Sequence, residues 1–160
     1  MGSFEKALRD AKIACYNLSE VSSIFPPNAE IIERDEGVKL LKPGEIVYVV
    51  LSRNSSDVID EIISASIGLA IPKDRNQYGY ISEHHSASEN EKQVGDFAEN
   101  LATEMLASTL GLENHVDWNE EKKRWELNEK ILLTRNITSI SRVKRRNIWT
   151  TVIAAAVMIP

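Results

Sequence analysis

The sequence contains little of what metal sites and disulfide frameworks require, with one cysteine and three histidines among its 160 residues. A single cysteine excludes an intramolecular disulfide and any four-cysteine zinc site. His84 and His85 are neighbours on a predicted strand, so their side chains point to opposite faces and cannot together bind one metal ion. We therefore expect no metal site. We also expect Cys15, which lies in a strand pattern, to be a buried structural thiol rather than a nucleophile.

The sequence also has no long apolar run and no excess of positive charge. Its longest apolar stretch, residues 152–160, is far shorter than the roughly 20 residues of a membrane-spanning helix. The charged N-terminus has no signal-peptide core, so we expect a cytoplasmic protein without a membrane partner. The net charge of −5 argues against a nucleic-acid partner. The basic run at residues 142–146 fits a solvated loop between strands, with an anion or RNA contact as the alternative.

The seven glycines form neither a Walker loop nor a dinucleotide-binding fingerprint. The length, with 42% hydrophobic and 27% charged residues, is typical of one globular domain spanning residues 1–160. Apolar periodicity, β-branched runs and turn residues divide the chain into helices and strands. We predict helices at 3–13 and 89–110, a helical turn at 35–41, and strands at 14–21, 29–33, 45–53, 62–72, 78–85, 131–140 and 148–159. Because strands outnumber helices, the long helix must cover a sheet face, which indicates an α+β layered fold.

The two predicted helices carry recognisable end signals. Ser3 can cap the first helix. Ser88 and Glu91 form a capping box for the second helix, and Gly111 can close it. A charged excursion at residues 115–127 follows. The apolar face of the second helix is predicted to contain Val94, Phe97, Leu101, Met105 and Ser108.

Two adjacent serines, Ser22 and Ser23, stand between a predicted strand and a Pro-Pro turn. Taken alone, such a pair is most often an ordinary turn. The other interpretation is self-processing, in which a strained turn lets the Ser23 hydroxyl attack the Ser22 carbonyl to form an ester. β-Elimination would then cleave the chain, and Ser23 would become dehydroalanine and, after hydrolysis, a pyruvoyl group. The pair alone does not decide between these interpretations.

The residues around this pair resemble those of the archaeal-type pyruvoyl-dependent arginine decarboxylases. The first motif is N-L-x-x-V-S-S-I-x-P-P, which begins at Asn17. The second is I-P-K-D followed by Y-G-Y-x-x-E, which ends at Glu83. The likeness continues through FAENLATEMLASTLGL and the final IWTTVIAAAVMIP, so it covers nearly the whole chain. It implies a four-layer αββα sandwich and a homotrimer of αβ units with active sites between subunits.

The resemblance implies that the chain cleaves between Ser22 and Ser23, giving a β chain of residues 1–22 and an α chain of residues 23–160. The α chain would carry a covalent pyruvoyl group made from Ser23. This group would form a Schiff base with L-arginine and withdraw the electrons left when CO₂ departs. The product, agmatine, would feed polyamine synthesis. Glu83 matches the family's proton donor, a role that requires a pKa raised by burial.

The resemblance also implies a substrate pocket. Asn17 would orient the Ser22 carbonyl or the substrate, with an ordinary strand-edge hydrogen bond as the alternative. Glu5 stands where better-known members have Asp and would accept the guanidinium group of arginine. Alternatively, Glu5 is a surface residue favoured in the first helical turn by the helix dipole. Leu8 and Ile24 would line the pocket.

Family members usually have a strand and a glycine-rich segment before the first helix, and this sequence begins at Met1. We expect that segment to close a sheet edge and to shape the guanidinium end of the pocket. Two rival functions stay open from the sequence. One is decarboxylation of another amino acid, and the other is an uncleaved, non-catalytic member that acts as an assembly partner.

Overall fold

The computed structural model describes residues 2–87, 89–111 and 130–160 of the chain. The charged excursion predicted at residues 115–127 lies outside the described residues. In the described part of the chain, no helix is both long enough and apolar enough to cross a membrane. The elements, in chain order, are α1 (Ser3–Asp10), β1 (Asn17–Glu20), β2 (Ile24–Phe25), α2 (Arg34–Gly37), β3 (Ile46–Ser56), β4 (Ile62–Pro72), β5 (Gly79–Ala87), α3 (Glu91–Thr109), β6 (Ile131–Arg142) and β7 (Thr150–Met158).

The strands form two sheets. The first has three strands in the order β1-β3-β7, with β1 parallel and β7 antiparallel to β3. The second has four antiparallel strands in the order β2-β5-β4-β6. Strands β1 and β2 are consecutive in the chain but belong to different sheets. Residues 21–23 therefore carry the chain from one sheet to the other.

The two sheets pack face to face between two helices, because successive side chains of a strand point to opposite faces of its sheet. In β3, Val49 and Leu51 face α1, whereas Val50 between them faces the second sheet. On the far side of the second sheet, α3 packs Leu106 against Ala70. The order of layers is therefore helix, sheet, sheet, helix, which confirms the expected αββα sandwich. The apolar cluster between the sheets contains the buried residues Phe25, Val50, Ile67, Ile71, Ile81 and Ala154.

Helix α1 lies on the outer face of the three-stranded sheet and is shorter than predicted. Its N-cap is Gly2, and Ser3 lies inside the helix instead of capping it. The helix ends at Asp10 because Lys12 adopts a left-handed conformation with φ of 64°. The N–H of Ile13 then bonds back to the carbonyl five residues earlier at 2.9 Å. This is a Schellman ending, which satisfies the last carbonyls and turns Ile13 toward the sheet.

Helix α3 begins with a different capping pair from the predicted one. Its N-cap is Asn90, which forms a capping box with Gln93, rather than Ser88 with Glu91. The buried face of the helix also differs from the prediction, because Phe97 is 53% exposed. The residues that pack on the sheet are mostly small, namely Val94, Gly95, Ala98, Ala102, Thr103, Leu106 and Ala107.

Small residues are needed here because α3 lies very close to β4. A Cβ atom at Gly68 would collide with the main chain of Ala98 in the helix above it. The hydroxyl of Ser82 on β5 donates to the carbonyl of the same Ala98. Gly111 follows the last turn of α3 with φ of 69°, so it ends the helix as predicted.

The remaining differences from the predictions concern short segments. The strand predicted at residues 14–21 is limited to Asn17–Glu20. Cys15 is exposed in the turn before β1, so the expectation of a buried thiol is wrong. Residues 29–33 form no strand, and the exposure of both adjacent isoleucines there breaks the alternation of a half-buried strand. Of the basic run, Arg142 still belongs to β6, whereas residues 143–146 form the predicted loop between strands, with Val143 buried.

Candidate active site

The Ser22–Ser23 peptide lies where the chain crosses between the sheets. Before it, the Val21 N–H donates to the Val49 carbonyl at 3.0 Å and extends the pairing of β1 with β3. After it, the Ser23 carbonyl accepts a 2.7 Å hydrogen bond from the Ile81 N–H of β5. Ser22 is exposed and Ser23 is half-buried. Each sheet therefore holds one side of this peptide.

A tight turn lies at the same place. The Ile24 N–H donates to the Ser22 carbonyl oxygen at 2.9 Å, which closes a three-residue γ-turn with Ser23 at its centre. Ser23 does not have a positive φ, so this is the inverse γ-turn that is common at strand ends. The sequence interpretation invoked a strained turn, and the structure corrects it. The turn is tight, but its backbone is of an ordinary kind.

Glu83 lies near this turn, on β5. It is two residues beyond Ile81 and on the same face of the strand. Although the side chain is exposed overall, burial of part of it raises the pKa of the Glu83 carboxyl. The nearby Glu20 carboxylate raises this pKa further, and His85 lowers it. A carboxyl with a raised pKa stays protonated up to a pH closer to neutral, which a proton donor requires.

His84 and His85 point to opposite faces of β5, as the sequence indicates. The His84 ring packs on Phe97 of α3, with ring centroids 4.2 Å apart. Its Nε2 lies 3.4 Å from Oε2 of Glu89. His85 is exposed on the face that carries Glu83. Among the described residues, no three His, Cys, Asp or Glu side chains come together in a group that could hold a metal ion.

Asn17 is not at the Ser22 carbonyl in this chain. It begins β1, five residues before Ser22, a separation of about 16 Å along an extended strand. Its side-chain amide donates to the Gly44 carbonyl at 2.7 Å, which is the strand-edge hydrogen bond named as the alternative. Ile24, by contrast, is next to the serine pair. It is 38% exposed and pairs with Tyr80 of β5.

Glu5 and Leu8 lie on α1, which the three-stranded sheet separates from the four-stranded sheet. Leu8 packs into the apolar cluster beneath the helix. Glu5 accepts a 2.9 Å hydrogen bond from Nε of Arg9, an exposed ion pair across one helical turn. Such pairs contribute only about 0.3–0.5 kcal/mol, so Glu5 can exchange this guanidinium partner at little cost. Within one chain, the structure does not bring these two residues to the serine pair.

Three groups at this site are not identified by the sequence. They are the N–H groups of Ile24 and Ile81 and the carboxylate of Glu20. Every residue except proline has a main-chain N–H, so nothing in a sequence marks one donor as special. Glu20 gives a weak signal, since it is a charged residue inside the first motif, two positions before the serines.

Comparison with known proteins identifies a family and several relatives that match this chain. All of residues 1–160 match the family model described as pyruvoyl-dependent arginine decarboxylase. The pyruvoyl-dependent arginine decarboxylase of Thermoplasma volcanium is 52% identical over 157 residues, covering 98% of this chain and 86% of the relative. Its counterpart by name in Picrophilus torridus is 55% identical over 137 residues, covering 86% of this chain and 75% of the relative. The pyruvoyl-dependent arginine decarboxylase of Nitrosopumilus maritimus is 46% identical over 159 residues, covering 98% of this chain and 87% of the relative. The resemblance carried by the two motifs is confirmed, and the chain belongs to the pyruvoyl-dependent arginine decarboxylase family.

Proposed function

We propose that this chain cleaves itself between Ser22 and Ser23 and then decarboxylates L-arginine to agmatine and CO₂, which supplies polyamine synthesis. The main support is the serine peptide held between two sheets, with Glu83 two residues along β5 from the residue that binds the Ser23 carbonyl. The family match and the names of the relatives support arginine as the substrate.

Self-cleavage requires only groups of this chain and water. The Ser23 Oγ adds to the Ser22 carbonyl carbon, and the C–N bond breaks to leave an ester and a free Ser23 amine. Loss of the Ser23 α-proton then expels the Ser22 carboxylate, which becomes the end of fragment 1–22. Hydrolysis of the resulting dehydroalanine releases ammonia. A pyruvoyl group remains at the N-terminus of fragment 23–160.

The residues around the cleavage point have distinct tasks in decarboxylation. When formed, the pyruvoyl group supplies an electron-withdrawing carbonyl beside the substrate. The Ile81 N–H holds the Ser23 carbonyl in place, and the exposed Ile24 side chain lines the pocket. Glu83 holds a proton at its carboxyl, where the pKa is raised, and delivers it to the carbon that loses CO₂. Glu20 favours that proton, because its negative charge disfavours a second charge nearby.

We also propose that a second subunit completes each site within a homotrimer. Glu5, Leu8 and Asn17 are separated from the serine pair in one chain, so they reach the substrate from a neighbouring chain. There the Glu5 carboxylate accepts the substrate guanidinium in place of its present partner. Exposed apolar side chains support contacts between chains, since Ile46 is 72% exposed and Tyr48 is 52% exposed on β3.

Mixing two inactive variants tests the shared site. One variant carries Ser23→Ala and the other carries Glu5→Ala. In mixed trimers, some sites combine an intact Ser23 from one chain with an intact Glu5 from another. We expect co-expressed mixtures to form agmatine although each variant alone does not. A mixture as inactive as its two parents would contradict a site shared between chains.

The protein is proposed to work in the cytoplasm. Its one cysteine, Cys15, is an exposed free thiol, which is typical of proteins in a reducing compartment. Cell fractionation tests this location. Recovery of the protein with exported or membrane fractions would contradict it.

Two substitutions test the chemistry directly. Ser23→Ala removes the nucleophile, so we expect neither cleavage nor agmatine. Glu83→Gln leaves cleavage intact but removes the proton donor, so turnover should fall by about 100-fold or more. Intact mass reports cleavage, and agmatine release reports turnover. Agmatine formed by Ser23→Ala, or full turnover by Glu83→Gln, would contradict these roles. Assays with other amino acids in place of L-arginine test the choice of substrate.

A further inference from the structure

We propose that the main-chain N–H of Ile24 is a catalytic group in self-cleavage, where it stabilises the negative charge that forms on the Ser22 carbonyl oxygen. This role rests on the proposed function, namely cleavage between Ser22 and Ser23. The N–H donates to that oxygen at 2.9 Å in the uncleaved chain. The donor therefore already contacts the atom on which charge develops.

Attack by the Ser23 hydroxyl changes the charge on this oxygen. As Oγ adds to the Ser22 carbonyl carbon, the C=O electron pair moves to the oxygen, and the hydrogen bond from Ile24 becomes charge-assisted. Hydrogen bonds to a charged oxygen are roughly twice as strong as neutral ones. The turn therefore stabilises the transition state more than the starting peptide, which is the condition for catalysis. Loss of one such donor slows acyl transfer by about 100- to 1,000-fold in enzymes that use it.

Contacts on both sides keep this donor aimed at the oxygen. The Val21 N–H is fixed to β3 at 3.0 Å, and the Ser23 carbonyl is fixed to β5 at 2.7 Å. Phe25, which follows the donor, is buried in the cluster between the sheets and anchors β2. The position of the Ile24 N–H is thus set by the two sheets together.

The family resemblance implies that the side-chain amide of Asn17 orients either this carbonyl or the substrate. In the structure that amide donates instead to the Gly44 carbonyl at 2.7 Å. The Ile24 N–H supplies a donor to the Ser22 carbonyl within a single chain. Under this proposal, the first step of cleavage does not depend on an Asn17 side chain from the same chain.

Two changes at position 24 remove the donor in different ways. Ile24→Pro replaces the N–H with a ring. The α-hydroxy analogue of valine, incorporated by cell-free translation, replaces the N–H with an ester oxygen. Ile24→Val keeps the N–H and is the matched control for the analogue. Each full-length chain is followed by mass spectrometry as it converts into fragments 1–22 and 23–160.

We expect both donor-free chains to cleave at least about 100-fold more slowly than Ile24→Val. Circular dichroism and thermal unfolding of the same changes, combined with Ser23→Ala, report whether the uncleaved fold is intact. If the proline chain does not fold, the α-hydroxy chain decides, because it adds no ring and has the side chain of the control. Cleavage of the α-hydroxy chain at the control rate overturns the proposal.

Hydroxylamine identifies the step that is affected. It attacks the ester made by the acyl shift, so it cuts the chain after Ser22 as soon as that ester forms. In Ile24→Pro, we expect hydroxylamine-induced cleavage to be slowed as much as spontaneous cleavage. Normal hydroxylamine cleavage in that variant would place the defect after the ester and overturn the proposal. A wild-type chain that never cleaves would instead refute the proposed function, so the two failures are distinguishable.

Discussion

Ile13→Ala is expected to weaken the attachment of fragment 1–22 to the rest of the cleaved protein. If the chain cleaves as proposed, no covalent bond joins this fragment to the rest of the protein. It is held by the pairing of β1 with β3 and by the packing of α1 on the three-stranded sheet. Ile13 is 4% exposed and packs in a cluster with Val49, Leu51 and Ile153.

The substitution removes three carbon atoms from this cluster. At about 0.8 kcal/mol per buried CH₂, the lost transfer free energy is about 2.4 kcal/mol. The cavity left behind raises the loss to about 3 kcal/mol. In uncleaved Ser23→Ala protein, this loss should lower the melting temperature by about 6–12 °C. In the cleaved protein, the same free energy should raise the dissociation constant of fragment 1–22 by about 150-fold.

Size-exclusion chromatography of dilute cleaved protein, with mass identification of each peak, measures how much of fragment 1–22 has dissociated. Lys6→Ala is the control, because Lys6 is exposed on the same helix and should affect neither quantity. Suppose that Ile13→Ala lowers the melting temperature of the uncleaved protein but leaves retention of the fragment unchanged. The fragment would then be held by contacts other than this cluster, which would contradict the expected weakening of its attachment.

Three further substitutions have expected outcomes. Glu20→Gln removes a charge that raises the pKa of Glu83. The loss of kcat/KM at alkaline pH should therefore move to lower pH. An unchanged pH profile of kcat/KM would contradict this. Because the pKa of Glu83 is raised on folding, the free energy of unfolding falls as pH rises through the interval between the unfolded and folded values. Glu83→Gln should therefore melt above wild type at alkaline pH, with a difference that shrinks toward acid pH. Gly68→Ala forces a Cβ into the main chain of Ala98. It should lower the free energy of unfolding, measured by urea denaturation, by about 3 kcal/mol. An unchanged urea midpoint would show that α3 can shift freely.

The sequence predicts most strands well because their signal is local. Strand β4 has the predicted bounds, since alternating apolar residues end at Pro72. The face of α3 is harder to predict, because hydrophobicity favours Phe97 while close packing on the sheet requires small residues. That requirement arises from the approach of the helix to Gly68, a contact between distant parts of the chain. Local patterns do not contain this information.

At the candidate site, too, the sequence indicates some groups, whereas others are set by the packing of distant parts of the chain. Two sequence motifs indicate Ser22, Ser23 and Glu83, and their assigned roles stay predictions. The contacts of Asn17 and the donors at Ile24 and Ile81 depend on how the chain crosses between the sheets. That crossing is set by the packing of the two sheets, which the spacing of residues does not reveal.

The denatured intact mass of the purified chain shows whether the chain cleaves itself between Ser22 and Ser23. We expect two fragments that divide the 18.0 kDa chain after Ser22, with the larger one lacking a free N-terminal amine. That result would establish cleavage at the turn between the sheets and a blocked group at position 23. A single, uncleaved 18.0 kDa species from the wild-type sequence would contradict the proposed mechanism.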